Sequence, residues 1–520
     1  MKRIKKSVRL AIITISLVSL SACSEDKFLN ITNENELNSA NYYSKVDNFD
    51  LALNAAYSSL KSLDLYGQSF YDQTLLTLPH ESDYWNAQSR NEVNSADGWV
   101  YKTWRGWYRA VAEANDIIEN VPGYIEKYNP NETERDQLNR ILGQAHFLRA
   151  FSYFNLVRLW GESSYSIDKT RLAVPLILKV ASIRAEMMVP RANVGEVYLQ
   201  VISDFEMAED LLPETWDDNN IARVNKIASK AFLGQVYLYM DDNEKAKTYF
   251  EEILGNNNYS LVPFKRYDDL FQGKNEFSEE SIFELNYTVD LVQNIWENGL
   301  GSGIALSCAP PDRGWSNVTP HGVNIFRFGN DPRLKICTYA PSDSAADIEG
   351  KMIPAGASTF NYTGHSFRKY VPQDYCVYTT NRNSGTNFII LRLADIYLMY
   401  AEINNNLGSD VIASEYMNKV RRRAYGLDPE IPQPAVDYTG LTGNVLRDSI
   451  REERFRELFA EGHRWYDIVR WRIVEEEVIK YNDFRVTQGL ILFQPWDYYY
   501  PVPLAEVDNN SSMTPSTGYE

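Results

Sequence analysis

Cysteine and histidine are scarce in this chain, with four of the first and five of the second among 520 residues. Cys23, Cys308, Cys337 and Cys376 show no C-x-x-C or other zinc spacing, and His80, His146, His321, His365 and His463 are scattered, so no metal site is predicted. Setting Cys23 aside leaves three cysteines, which allows at most one internal disulfide and leaves its pairing open. H-E-x-x-H, G-x-S-x-G and a Walker lysine are all missing, so the usual parts of zinc proteases, α/β-hydrolases and P-loop enzymes are not here. Gly299-Leu300-Gly301-Ser302-Gly303 has the glycine content of a phosphate loop, but Pro310-Pro311 follow too soon for the helix whose N-terminus would hold the anion. Positive charge is short as well: 52 Lys and Arg face 70 Asp and Glu, for a net charge of −18. Phosphate binding needs clustered Lys and Arg, so nucleic acid is excluded as a partner. Among 70 acidic residues, a pair such as Glu81 and Asp83 arises by chance, and the two-carboxylate chemistry of a glycosidase is not expected from it. No enzyme and no cofactor are predicted.

Long apolar runs are also missing, with one short exception. Lys2, Arg3, Lys5, Lys6 and Arg9 precede the apolar stretch Leu10 to Leu20, and the small residues Ser21-Ala22 follow. This is the layout of a secretory signal over residues 1–22, too short to span a bilayer. Leu20-Ser21-Ala22-Cys23 looks like a lipobox, which implies cleavage before Cys23, a diacylglycerol thioether on its sulfur and an acylated new N-terminus. Ser24-Glu25-Asp26-Lys27 is similar to the tags that send such lipoproteins to the outer cell face. Attachment would then rest on lipid alone, for which two or more acyl chains suffice.

What the chain does have is helical periodicity. Residues 23–45 read as a lipidated tether, after which apolar residues recur at helix spacing over roughly Phe49–Ser62, Trp104–Asn120, Glu134–Trp160, Val194–Leu212, Lys226–Met240 and Glu244–Leu254. Leu233-Gly234-x-x-Tyr237, followed by Ala246 and Phe250, fits the spacing of a tetratricopeptide helix pair, although Lys230 stands where a Trp is usual. Gln144 to Phe154 and Leu393 to Glu402 carry small residues and tyrosines on one face, as closely packed helices do. One pair cannot bury its apolar face alone, so several must stack. The predicted fold is mostly α: a tetratricopeptide-like α-solenoid core with long irregular loops and a few short strands. Ser281 to Thr288 alternates as one such strand.

Aromatics are plentiful, with 11 Trp, 35 Tyr and 22 Phe. Trp99, Trp104 and Trp107 open a helix and read as core. Two loops place aromatics beside Asp, Asn or Arg: Asp83-Tyr84-Trp85-Asn86, and the region holding Trp296, Asn298, Arg313 and Trp315. That mixture stacks on the apolar face of a sugar ring while hydrogen-bonding its hydroxyls. These eight residues are the predicted ligand site, with both loops converging on one face.

Near the C-terminus, Arg451-Glu452-Glu453-Arg454 leads into Glu457-Leu458-Phe459-Ala460-Glu461-Gly462-His463-Arg464-Trp465-Tyr466-Asp467-Ile468-Val469-Arg470-Trp471. Phe455, Leu458, Phe459, Gly462, Trp465, Tyr466 and Val469 fall on one helix face, predicting a single long amphipathic helix from Ser449 to Trp471. On its other face Glu452 with Arg456, Glu461 with Arg464 and Asp467 with Arg470 read as solvated pairs. Gly462 reads as a point of close packing. This run closely resembles the C-terminal signature of the SusD/RagB family of outer-membrane nutrient-binding lipoproteins. Arg149-Ala150-Phe151-x-Tyr153-Phe154, Pro190-Arg191, Arg223-Val224-Asn225-Lys226 and Pro501-Val502-Pro503 extend the resemblance over nearly the whole chain. It implies a helical N-terminal region at 46–260 and a C-terminal region at 261–520 with a loop-rich insertion at about 288–387. It further implies a glycan ligand, a SusC-like TonB-dependent transporter as partner, and a lipid anchor in the outer membrane facing the cell exterior. A peptide-binding member of the same family and a lipid-anchored glycoside hydrolase are the alternatives. In the family the ligand residues vary with the ligand, so Trp85, Trp296 and Trp315 are chosen by position.

Overall fold

Side-chain caps explain where the helices begin. In the computed structural model the first helices are α1 (Val46–Leu60) and α2 (Gly98–Tyr128), followed by α3 (Glu132–Trp160), α4 (Val194–Leu211), α5 (Lys226–Tyr239) and α6 (Asn243–Leu254). Asn131, Asn193 and Asn225 stand before α3, α4 and α5, and their side chains accept from the amides of Glu134, Glu196 and Ala228 at 3.0, 2.8 and 2.9 Å. Glu134 and Glu196 return the bond, completing capping boxes. Asp97 caps α2 through the amides of Trp99 and Val100. That helix therefore starts earlier than the predicted Trp104, and it continues through Pro122 to an αL cap at Asn129. Residues 42–67, 80–82, 93–289, 301–310, 314, 318–340, 344–346, 352–354, 365–375, 383–480 and 493–520 are described. The chain divides between Asn48 and Phe49 into two units, and the contacts below belong to the second.

Each helix from α2 to α5 packs on its successor, and α8, at Leu393–Asn406, packs on both α5 and α6, so helices from the two ends of the chain share one stack. Within the predicted tetratricopeptide pair, a Cβ on Gly234 would lie 2.5 Å from the Phe250 ring, so only glycine allows α5 and α6 this approach. Trp104 and Trp107 are buried, as read from the sequence, whereas Trp99, at the first turn of α2, is only half-buried. The rings of Phe147 and Phe151 on α3, Phe205 on α4 and Phe232 on α5 meet in the core, mostly edge-to-face.

Among the described residues, ten short strands pair as five antiparallel ribbons. These join β1 (His80–Ser82) with β5 (Val318–Pro320), β2 (Leu172–Pro175) with β3 (Arg191–Asn193), and β4 (Ser281–Leu285) with β10 (Phe388–Arg392). The other two join β6 (Thr338–Tyr339) with β9 (Ser366–Phe367), and β7 (Ser344–Ala346) with β8 (Met352–Pro354). From β4, Phe283 reaches into the phenylalanine core, 5.4 Å from Phe147 and 5.8 Å from Phe151. The helix α7 (Ile304–Cys308) is buried throughout and lies against β5. After α8 come α9 (Asp410–Ala424), α10 (Gly443–Glu457) and α11 (Arg464–Arg470).

The C-terminal signature departs from its prediction. It is two helices, because Ala460 and Gly462 between α10 and α11 hold φ of +61° and +89°, in the left-handed region that a right-handed helix cannot contain. Gly462 thus serves a turn. Its charges are not solvated either: Glu457, Glu461 and Asp467 are 0%, 2% and 4% exposed. Glu461 leaves Arg464 for Lys369 at 2.5 Å and Arg392 at 2.7 Å, while Arg464 binds Glu477 at 2.6 Å. Glu457 takes Arg392 at 2.6 Å, Arg423 at 2.5 Å and Arg333 at 2.9 Å, and Glu280 takes Arg392 and Arg423 in turn. Glu452 faces Arg327 at 2.5 Å and holds Arg456 only loosely at 3.9 Å. The Asp467–Arg470 pair forms at 2.8 Å, with Arg454 joining at 3.0 Å. Burial drives the Glu457 carboxyl up, but Arg423, Arg392, Arg333 and Lys369 outweigh it and hold it well below the usual carboxylate range. Charge spacing along one helix cannot distinguish water from an equal set of buried partners, and here the partners win.

Candidate functional site

Asp83, Tyr84, Trp85, Asn86, Trp296, Asn298, Arg313 and Trp315, the predicted ligand residues, lie outside the described residues, as do Cys23 and Cys376. The frame from which their loops leave is described. In the β1–β5 ribbon His80 is opposite Pro320, Glu81 opposite Thr319 and Ser82 opposite Val318. Asp83 is the next residue after Ser82, and Asn317 is the residue before Val318. Two loops far apart in sequence therefore leave the frame from directly paired positions.

Further stems converge in the same way. Gly303 N donates to Gly67 O at 2.8 Å, and Ser302 and Ser384 exchange backbone hydrogen bonds at 2.7 and 2.9 Å. A Cβ on Gly301 would lie 2.6 Å from Asn383 Cβ, and one on Gly385 would lie 2.9 Å from Val289. Gly314 stands between Arg313 and Trp315; its amide donates to Pro310 O at 2.9 Å, and a Cβ there would meet Ala309 at 2.6 Å. Of the glycines that resemble a phosphate loop in sequence, Gly301 thus makes room for Asn383 and Gly303 bonds the Gly67 backbone. Nothing but those glycines hints at this frame in the sequence.

A polar group beneath the stems fixes their spacing. Asn387 Oδ1 accepts from Tyr287 N at 2.8 Å, Asn387 N donates to Glu276 at 3.1 Å, and Asn387 Nδ2 donates to Glu284 at 3.2 Å. Glu284 also accepts from Ser281 Oγ at 3.1 Å and from the amide of Phe277. Burial pushes its carboxyl up to about 7, and the hydrogen bonds from Phe277, Asn387 and Ser281 only partly offset that. Among the described residues no group of three or more His, Cys, Asp or Glu is placed to hold a metal ion. Two histidines pair with buried carboxylates: His146 of α3 meets Asp204 at 2.7 Å beside Arg149, and His463, in the turn before α11 and not inside a helix, meets Asp395 at 3.3 Å. Backbone contacts and close glycine approaches thus anchor the stems from which the two loops depart.

Comparison with known families agrees with this architecture. A family model described as the SusD family matches residues 354–519, and one described as starch-binding associating with outer membrane matches residues 27–238. The chain belongs to the SusD/RagB family. It is similar to SusD-like protein P25 of Formosa agariphila, 24% identical over 91% of this chain and 92% of that one. SusD-like protein P2 of the same organism is 27% identical over 92% of this chain and 94% of its own. Among solved structures, a laminarin binding SusD-like protein superimposes with a TM-score of 0.71 at 24% identity, covering 91% of this chain and 99% of that one. A SusD homolog from Bacteroides thetaiotaomicron gives 0.75 at 20% identity, covering 93% and 99%. These SusD structures share the mostly helical fold, and one of them is named as laminarin binding.

Proposed function

We propose that this SusD-family protein is a lipid-anchored lipoprotein of the outer membrane, facing the cell exterior. It binds a nutrient glycan on the face where the Asp83–Asn86 and Trp296–Trp315 loops meet, and passes it to a SusC-like TonB-dependent transporter without chemical change. The observation that carries this reading is the β1–β5 ribbon, which joins the stems of the two aromatic loops residue against residue. The laminarin-binding neighbour and the starch-binding family description support a glycan as the ligand class. Among the described residues no helix is long and apolar enough to cross a membrane, which fits attachment through the Cys23 lipid and transport through a partner.

Two or three aromatic contacts of about 0.5 to 1.5 kcal/mol each, with a few hydrogen bonds, give an affinity in the roughly millimolar to micromolar range. Weak capture suits cargo that must be released onward. Calorimetry with laminarin and a panel of other neutral glycans and peptides tests the reading. Trp85→Ala, Trp296→Ala and Trp315→Ala are each expected to weaken glycan binding several-fold at an unchanged melting temperature. Normal binding by all three variants places the ligand elsewhere, and release of reducing sugar by the purified protein favours a hydrolase.

A further inference from the structure

A cleft of about 240 Å³ lies where the loop before α5 meets β4, and no residue of the β1–β5 ribbon lines it. Trp216, Tyr259 and Phe277 line it with Asn225, Asn258, Ser278 and Ser281, and Ile282 to Glu284 of β4 form one wall. Two of the three half-buried rings are tied to the same dipeptide just before α5: Trp216 Nε1 donates to Val224 O at 2.8 Å, and Asn225 Nδ2 donates to the Tyr259 hydroxyl at 3.4 Å. Phe277 holds φ of +50°, a strained conformation for a bulky side chain, and its amide is fastened to the buried Glu284 carboxyl. Strain of this kind concentrates at ligand clamps. The cleft's cation is already committed, Arg223 lying 2.9 Å from Asp50, and its Glu279 is met by Arg266 at 3.1 Å. An anionic ligand therefore finds no uncommitted charge there. Aromatic faces set among amides and hydroxyls recognise a flat, neutral, hydroxyl-rich ring, and the volume, below the roughly 300 Å³ at which drug-sized pockets begin, suits one ring rather than a chain.

We propose that this cleft is a second carbohydrate site, taking a single neutral sugar residue, separate from the platform at the β1–β5 ribbon. The proposal rests on the glycan reading above, and the two are separated by using different probes. Saturation-transfer NMR on the purified chain, with the methyl glycosides of glucose, galactose and mannose, is expected to show binding of at least one. Trp216→Ala should reduce that binding at least tenfold, and Asn258→Trp, which fills the cleft from an exposed position and leaves the core untouched, should do the same. Trp85→Ala and Trp315→Ala should leave it unchanged while weakening laminarin binding. The cleft assignment is overturned if no methyl glycoside binds, or if Asn258→Trp binds as the wild type does. It is equally overturned if an extended peptide, and no sugar, is displaced by Asn258→Trp, since β4 has a strand on only one of its edges among the described residues. Normal laminarin binding alongside any of these outcomes leaves the platform reading standing.

Discussion

Glu284 shows how much a single residue can hide. The alternation Ser281-Ile282-Phe283-Glu284-Leu285 points Phe283 inward, and a half-exposed strand would then turn Glu284 to water; instead it is 4% exposed with no cation among its hydrogen-bond partners. Its carboxyl ordinarily titrates near 4.5 and is pushed up to about 7 by burial, so folding favours the protonated form. The stability this gives is complete below the unfolded value and is lost as pH rises through about 7. At pH 8 the ionised carboxylate costs about 3 kcal/mol, because each pH unit separating the folded from the unfolded titration is worth about 1.4 kcal/mol. A Gln side chain makes the same contacts without the charge. Glu284→Gln is therefore expected to melt with the wild type near pH 4.5 and several degrees above it at pH 8. Identical melting curves at both pH values would mean that the Glu284 carboxyl keeps its water. Residues whose role follows from size were legible: Gly234 against Phe250, and Trp104 and Trp107 in the core. Residues whose role depends on what faces them were not.

At the level of elements, helices were readable wherever a cap and an apolar stripe coincided, as at Asn193 before Val194 and Asn225 before Lys226. The three-residue strands β1 and β5 carry no pattern of their own, since pairing between positions more than two hundred residues apart leaves no local trace. In the C-terminal signature the apolar period was right over α10 and wrong across the turn, where the left-handed residues Ala460 and Gly462 interrupt it. Gly462→Ala places a Cβ at φ +89° and is expected to cost about 1 to 3 kcal/mol in urea denaturation. A loss below a few tenths of a kcal/mol would show that the turn relaxes freely. Arg392 is the more demanding test, because it joins β10 to Glu280, Glu457 and Glu461 at once. Arg392→Met leaves buried carboxylates short of a partner, and breaking such a network costs about 3 to 5 kcal/mol. A shift of that size in the denaturation midpoint is expected, and a neutral result would mean that the remaining cations Lys369, Arg423 and Arg333 suffice.

The whole molecule was legible as a class before its site was. Stacked helix pairs and the SusD-like runs specified a helical solenoid because both are repeated along the chain. The proposed ligand face rests on two loops that occur once in the chain and carry no repeated pattern. Net charge is the remaining property of the entire chain, and it bears directly on which glycan is taken. With 52 basic against 70 acidic residues, the field around the protein repels anions over the Debye length of about 10 Å at 0.1 M salt. A sulfated or uronate-rich glycan approaching the platform therefore meets a penalty that a neutral glucan does not. Titration of whichever neutral glycan binds in the calorimetric panel is expected to give a dissociation constant that changes less than about twofold between 50 and 500 mM NaCl, because no counterions are released when uncharged groups meet. A sulfated polysaccharide should bind more weakly at 50 mM and gain as salt screens the repulsion. Strong sulfated-glycan binding that falls steeply with salt would reveal a basic patch within the loops, and the natural ligand would then be an acidic glycan.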